Sequence, residues 1–172
     1  MYLGKDKSKE AKIIRYRRAI DLFVLLKWMT VTLFWLFSVN TIVAAISTIY
    51  LILINLFTYF YYHVWVPPFS NTRDDIKRRF VALLQAIAFN IFAYSYLYAI
   101  PVKSSFSWLS GGSTNLDAFL FSLNNSFISS YDFVIHKNQV AYLLSSSQIV
   151  VMFMFLTIIL SNSLPGDKGG DK

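Results

Sequence analysis

The side chains best equipped for chemistry are crowded into residues 121–133, which read FSLNNSFISSYDF. Asn124, Asn125, Ser126, Ser129 and Ser130 offer amides and hydroxyls, Tyr131 a phenol and Asp132 a carboxylate, groups that suit a wet wall better than lipid. They do not make a catalytic set. The chain has two histidines, a single glutamate (Glu10) and no cysteine, and neither a nucleophile elbow, a phosphate loop nor a metal-spaced cluster accompanies them. No enzyme and no cofactor is expected. Asp74 and Asp75 are adjacent within NTRDDIKRR, where neutralising the neighbouring Arg and Lys is a simpler role than holding a cation.

The elements that position these residues are apolar. Of 172 residues, 56% are hydrophobic and only 15% charged, and the charge is missing from stretches too long for a soluble domain of this size to bury. The fold class expected is an all-α integral membrane protein with four spans, near 20–39, 41–66, 80–100 and 140–160. Each is long enough to cross about 30 Å of hydrocarbon at about 1.5 Å per residue. Only SVNT separates the first two, with Asn40 as its turn residue, so a tight helical hairpin is expected. The second runs into YFYYHVWVPP, an aromatic belt closed by a Pro pair, where His63 reads as an interfacial side chain rather than a ligand. Asn55, Gln85, Asn90 and Gln148 are expected to hydrogen-bond between helices.

Lys and Arg orient the spans. Lys5, Lys7, Lys9, Lys12, Arg15, Arg17 and Arg18 precede the first, Arg73, Lys77, Arg78 and Arg79 precede the third, and Lys168 and Lys172 end the chain. The opposite side has only Lys103 and Lys137, which makes both termini and the central loop cytoplasmic. The net charge of +7 sits at the ends of apolar segments rather than in a surface stripe, so no nucleic-acid partner is expected. Residues 1–19 read as a basic helix lying on anionic lipid, with docking of a cytosolic protein as the alternative. The cytoplasmic basic face is then Arg15, Arg17, Arg18, Arg73, Lys77, Arg78 and Arg79. Lys27, inside the first span, is expected to snorkel toward the cytoplasmic headgroups, and a role as a pore or partner residue ranks second. The resulting divisions are 1–19, a hairpin over 20–66, a loop over 67–79, a module over 80–160 and a Gly-rich tail over 161–172.

That module contains the one long connection, residues 102–139. Gly111 and Gly112 mark a turn, Thr114 stands three residues before Asp117 in a capping-box spacing, and an apolar helix over about 116–125 follows. Ten residues make about 15 Å of helix, half the hydrocarbon thickness. Such a helix enters and returns, with SFISSYDF as the returning limb.

Two spans bracketing a half-helix and a polar return resemble the bacterial four-helix members of the potassium-channel pore family. Residues 117–160 carry the likeness. The family pattern DAFYFSLVTLTTVGYGDIVPVTPLGRLLA runs without a gap against DAFLFSLNNSFISSYDFVIHKNQVAYLLS: Asp117, Ala118, Phe119, Phe121, Ser122 and Leu123 match, Tyr131 falls on the filter tyrosine, and Leu143 and Leu144 on the inner-helix Leu pair. The resemblance implies a homotetrameric ion channel in a bacterial inner membrane. It also implies that Gln148, near a position often acidic in the family, faces a neighbouring subunit.

Where the family has TVGYGD this chain has Ile128, Ser129, Ser130, Tyr131, Asp132 and Phe133, so both filter glycines are gone. Those glycines let successive carbonyls point one way at backbone angles that L-residues adopt only at a cost. Potassium selectivity is therefore not expected. In an oligomer, Asn124, Asn125, Ser129 and Ser130 would ring an aqueous constriction and Asp132 an anionic mouth, a weakly cation-selective pore or a gated depolarising effector. Ser145, Ser146 and Ser147 stand where the inner helix has no hinge glycine. The alternative is a non-conducting membrane adaptor that recruits a cytosolic protein through its basic face.

Overall fold

The computed structural model describes residues 3–61, 73–109 and 114–163. Within them the apolar runs form helices α1 (Leu3–Leu36), α2 (Ile42–Phe60), α3 (Arg73–Ala99), α4 (Thr114–Ser126) and α5 (Gln139–Ser163). The protein is mostly helical, and four of these helices contain segments long and apolar enough to cross a membrane: Arg18–Leu36, Ile42–Phe60, Phe80–Ala99 and Gln139–Thr157. Their order is compatible with a multi-pass membrane protein, and α3 is its centre. Of the α3 span 56% is buried against 11% of the α1 span, so the α3 span is much the more closely packed by protein.

The turn between α1 and α2 is tight, as the short SVNT link requires, but Asn40 is not its pivot. The Val39 N–H reaches the Phe34 carbonyl at 2.9 Å and the Ser38 N–H reaches the Trp35 carbonyl at 3.0 Å, the paired bonds of a Schellman end. That motif needs a left-handed residue one place before its last donor, and Ser38 takes it with φ 48°. Thr41 then opens α2 by accepting the Ala44 N–H on its hydroxyl at 3.2 Å. The Tyr96 hydroxyl of α3 donates to the Val39 carbonyl at 2.6 Å and holds this turn against the end of α3.

Two basic segments differ from their sequence-based outlines. α1 runs unbroken from Leu3 through the boundary near residue 19, so the basic segment and the first span are one helix rather than a surface helix joined to a span. Likewise α3 begins at Arg73, and Arg73, Lys77, Arg78 and Arg79 occupy its first two turns instead of a loop. Asp74 and Asp75 sit in the first turn, where the helix dipole favours negative charge. The belt around His63, the Pro pair, the Gly111–Gly112 turn and the tail lie outside the described residues.

After α3 the chain makes a short 3-10 turn, Lys103–Ser105, and strand β1 (Phe106–Trp108); β2 (Val134–His136) returns just before α5. The two pair antiparallel, with Phe106 opposite His136, Ser107 opposite Ile135 and Trp108 opposite Val134. Bonds from the Leu109 N–H to the Phe133 carbonyl and from the Lys137 N–H to the Ser105 carbonyl, each 2.9 Å, extend the ladder by one residue at both ends. Asn138 finishes the job: its side-chain oxygen caps α5 at the Ala141 N–H (3.1 Å) and its amide nitrogen donates to Ser105 Oγ (3.0 Å). The ladder thus closes a loop from which α4 hangs, and α4 packs most extensively on α3.

Candidate functional site

The segment singled out by its polarity straddles the end of α4. Its helical part is wired inward. Ser122 Oγ donates to the Ile91 carbonyl of α3 at 2.7 Å, an acceptor also used by Ser95 Oγ at 2.7 Å. Gln148 of α5, fully buried, directs its amide nitrogen at the Ser122 carbonyl (2.9 Å), Ser122 Oγ (2.7 Å) and Ser126 Oγ (2.8 Å). Its oxygen accepts from the Tyr98 hydroxyl at 2.7 Å and from Asn125 Nδ2 at 2.9 Å. Asn125 Nδ2 also reaches the Ser145 carbonyl at 3.0 Å, and Ser145 Oγ lies 2.9 Å from His136 Nε2. One network therefore joins α3, α4, α5 and the ladder. Ile91 lies eight residues from the end of α3 and Gln148 nine from the start of α5, so the last turns of α4 meet both helices about 12–14 Å along their length.

Beyond Ser126 the residues turn outward. The Ser129 N–H bonds to the Asn124 carbonyl at 2.9 Å and the Ile128 N–H to the Asn125 carbonyl at 3.2 Å, a second Schellman end, with Ile128 at φ 55° in the position glycine usually fills. A left-handed β-branched residue costs about 1–2 kcal/mol. Ile128 is 70% exposed, and Ser129, Ser130 and Asp132 are exposed with it. Tyr131 is tied back, its hydroxyl donating to Asp117 Oδ1 at 3.2 Å. Burial first, then the Asp117 carboxylate, pushes the Tyr131 phenol above its ordinary range.

The expected site therefore divides. Asn125, Ser126, Ser145 and Gln148 lie inside the protomer, and the expectation that Gln148 faces a neighbour is overturned because every polar atom of its amide is used within the chain. Ile128, Ser129, Ser130, Asp132, Ser146 and Ser147 are exposed, while Asn124 is half-buried and donates to the Leu120 carbonyl of its own helix at 2.8 Å. Ser147 is also within 3.0 Å of the Tyr94 hydroxyl. Of the basic face, Arg18 and Lys77 are exposed; the side chains of Arg15, Arg17, Arg73, Arg78 and Arg79 lie outside those described.

Lys27 is the main correction. It is 2% exposed, its ammonium donates to Asn55 Oδ1 of α2, and it stands 4.7 Å from the centre of the Phe89 ring of α3. Asn55 Nδ2 in turn donates to the Ala86 carbonyl at 3.1 Å. A signal was present: Lys27 is nine residues beyond Arg18, about 13 Å deeper along the helix, too far for its stem to carry the charge back. Of the other polar span residues, Asn90 finds only the Met152 sulfur at 3.6 Å, leaving its oxygen without a partner among the described residues, and Gln85 is exposed. No family model, curated protein or solved structure matches this chain.

Proposed function

We propose that several copies of this chain, most simply four, surround a common axis and form a membrane pore in which α4 is a re-entrant half-helix and residues 127–133 its returning limb. One observation carries the reading. α4 ends beside Ile91 and Gln148, deep along two spanning helices, and is followed by an irregular stretch at 129–131 in which Ser129 and Ser130 are exposed. Irregular backbone at membrane depth is tolerated only where protein covers it or water lines it, and a single protomer leaves it bare. Neighbouring copies would cover the flanks and leave a wet lumen lined by Ser129, Ser130 and Asp132. A ring of Asp132 carboxylates and the negative C-terminal ends of the α4 helices favour cations over anions.

The likeness of residues 117–160 to the potassium-channel pore family supports the architecture but not the selectivity. None of residues 129–133 has positive φ, which argues against a stack of carbonyl rings replacing potassium's hydration shell. In this reading both termini are cytoplasmic, anionic lipid meets the basic ends of α1 and α3, and catalysis has no part. The inward turn of Asn125, Ser126 and Gln148 favours a second reading, a non-conducting adaptor, because it takes three polar side chains away from any lumen. Reversal potentials of verified oligomers under sodium and potassium gradients separate the two. The pore reading expects weak cation selectivity that moves toward anions at low salt in Asp132→Asn. A tenfold preference for potassium would refute the argument from backbone angles, and no current under any trigger would leave the adaptor.

A further inference from the structure

At the end of the bundle where α1 turns into α2 and α3 meets the ladder there is a cavity of about 650 Å³, within the range of small-molecule sites. Asn40 of the turn, Ile100 and Pro101 after α3, Ser107 and Trp108 of β1, and Thr114 of α4 contribute to its wall. Its charged lining is more telling. Between Arg79 and Lys168 the sequence has only two basic residues, Lys103 and Lys137, and both line this cavity. They are 34 positions apart and are brought together by the ladder, in which the Lys137 N–H bonds to the Ser105 carbonyl. Among the described lining residues there is no carboxylate to offset them.

Two exposed lysines on the wall of one cavity give it a positive potential that attracts an anion, and placing cations at the end opposite the basic segments works against the usual distribution of charge in membrane proteins. The rest of the wall is chemically matched to an oxyanion: hydroxyls of Ser104, Ser107 and Thr114 and the Asn40 amide can donate hydrogen bonds. Trp108 also lines the cavity, with its indole N–H buried and turned out of reach of solvent, so its ring reports on the cavity without serving as a ligand in it.

We propose that this cavity binds a phosphate-type oxyanion, gripped by Lys103 and Lys137 and oriented by the surrounding hydroxyls, with the Trp108 ring in the cavity wall as its reporter. The site is separate from the returning limb and stands whether or not the protein conducts. Its level, where spanning helices end and aromatic side chains gather, suits a phospholipid phosphodiester; a soluble phosphate compound presents the same oxygens.

The test uses the full chain in phosphatidylcholine nanodiscs and follows tryptophan emission, with Trp108→Phe subtracting the three other tryptophans. One series raises the phosphatidylglycerol content, and another adds inorganic phosphate against chloride at equal ionic strength. A saturable Trp108 response is expected in at least one series, weakened by about tenfold or more in the Lys103→Gln/Lys137→Gln double variant as two charge-assisted contacts are lost. Both lysines are exposed, so the variant is expected to keep its melting behaviour. A response to lipid alone assigns the headgroup as the source, and a response to phosphate assigns a soluble anion. No saturable response in either series, an equal response to chloride, or unchanged affinity in the double variant would overturn the proposal.

Discussion

The two halves of the bundle solve the same problem, a polar residue inside a membrane-type helix packing, in opposite ways. Where α1, α2 and α3 meet, a charged Lys27 rests on one amide oxygen and one aromatic face, with Asn55 as the only hydrogen-bond acceptor of its ammonium among the described residues. Where α3, α4 and α5 meet, a neutral Gln148 is surrounded by Ser122, Ser126, Asn125 and Tyr98, and most of those groups have a second partner. The richer network is therefore the more tolerant of losing its hub. Count of bonds is a poor guide to sensitivity; what matters is which groups are stranded when one side chain goes.

The largest effect is expected at the sparse site. Asn55→Leu strands a buried ammonium and is expected to lower stability by about 3 kcal/mol, the upper range for an unpaired buried group with charge. Gln148→Leu leaves Asn125 its bond to the Ser145 carbonyl, Ser122 its bond to the Ile91 carbonyl and Ser126 its bond to the Ser122 carbonyl, and the Tyr98 hydroxyl keeps the side chains of Ser145 and Asn125 as partners. Its cost is expected near 1 kcal/mol, in line with interhelical hydrogen bonds in membranes. Adding Lys27→Met to Asn55→Leu removes the stranded charge and is expected to restore most of the loss, a coupling that a double-mutant cycle measures directly. Denaturation in mixed micelles orders the variants. A Gln148→Leu protein less stable than Asn55→Leu would reverse the comparison.

A smaller, pH-dependent effect belongs to the ladder, which the rich network reaches through Ser145. His136 is stacked on Tyr142 at 4.6 Å and packed by Phe106 and Phe121, and burial holds its imidazole below the ordinary 6.5. The fold thus favours the neutral ring. Stability from this site is complete above the unfolded value near 6.5 and drains away as pH falls through it toward the lower folded value. Stacking on Tyr142 favours the charged ring and limits the loss without reversing it. Amide exchange at Leu109 and Lys137, whose N–H groups bond across the ladder, is expected to quicken as pH is lowered from 7 to 5, beyond the intrinsic pH dependence of exchange, while Asn55-side amides in α2 do not change in the same way. His136→Gln should flatten the response, and a response retained in that variant would assign it elsewhere.

The sequence made the four spans legible because long apolar runs leave few alternatives, and it located α4 within about two residues at its start and one at its end. It did not reveal the ladder. Three residues, FSW and VIH, are too few for alternation to register, and their pairing depends on a contact across 30 positions. Nor did it show which polar side chains face inward. Asn124 and Asn125 are neighbours in type and position, yet about 100° of helical rotation separates them, and only the placement of α5 decides that Asn125 is the one to meet Gln148. The same limit explains Lys27, whose depth was readable but whose amide partner 28 residues away was not.

The smallest expected effect tests the strained end of α4 against its counterpart at Ser38. Both helix ends use the same Schellman bonds without glycine, but a serine is small whereas Ile128 is β-branched, so the cost of the left-handed angle is greater at Ile128. Ile128→Gly is expected to stabilise an isolated protomer by about 0.5–1 kcal/mol, the relief of strain exceeding the added freedom of the unfolded chain. Ser38→Gly should give less. Phe127→Gly, one residue earlier and without positive φ, should destabilise and so shows that the gain depends on the angle. The side chain itself decides the second half of the measurement. On the pore reading, an isoleucine that is 70% exposed in the protomer packs against another copy, so Ile128→Gly should weaken assembly in the same samples in which it strengthens the protomer. If both protomer stability and assembly are unchanged, neither the strain nor the contact exists. If the protomer gains and assembly is untouched, the tip of α4 faces lipid or water, and the pore reading loses the surface through which its copies would meet.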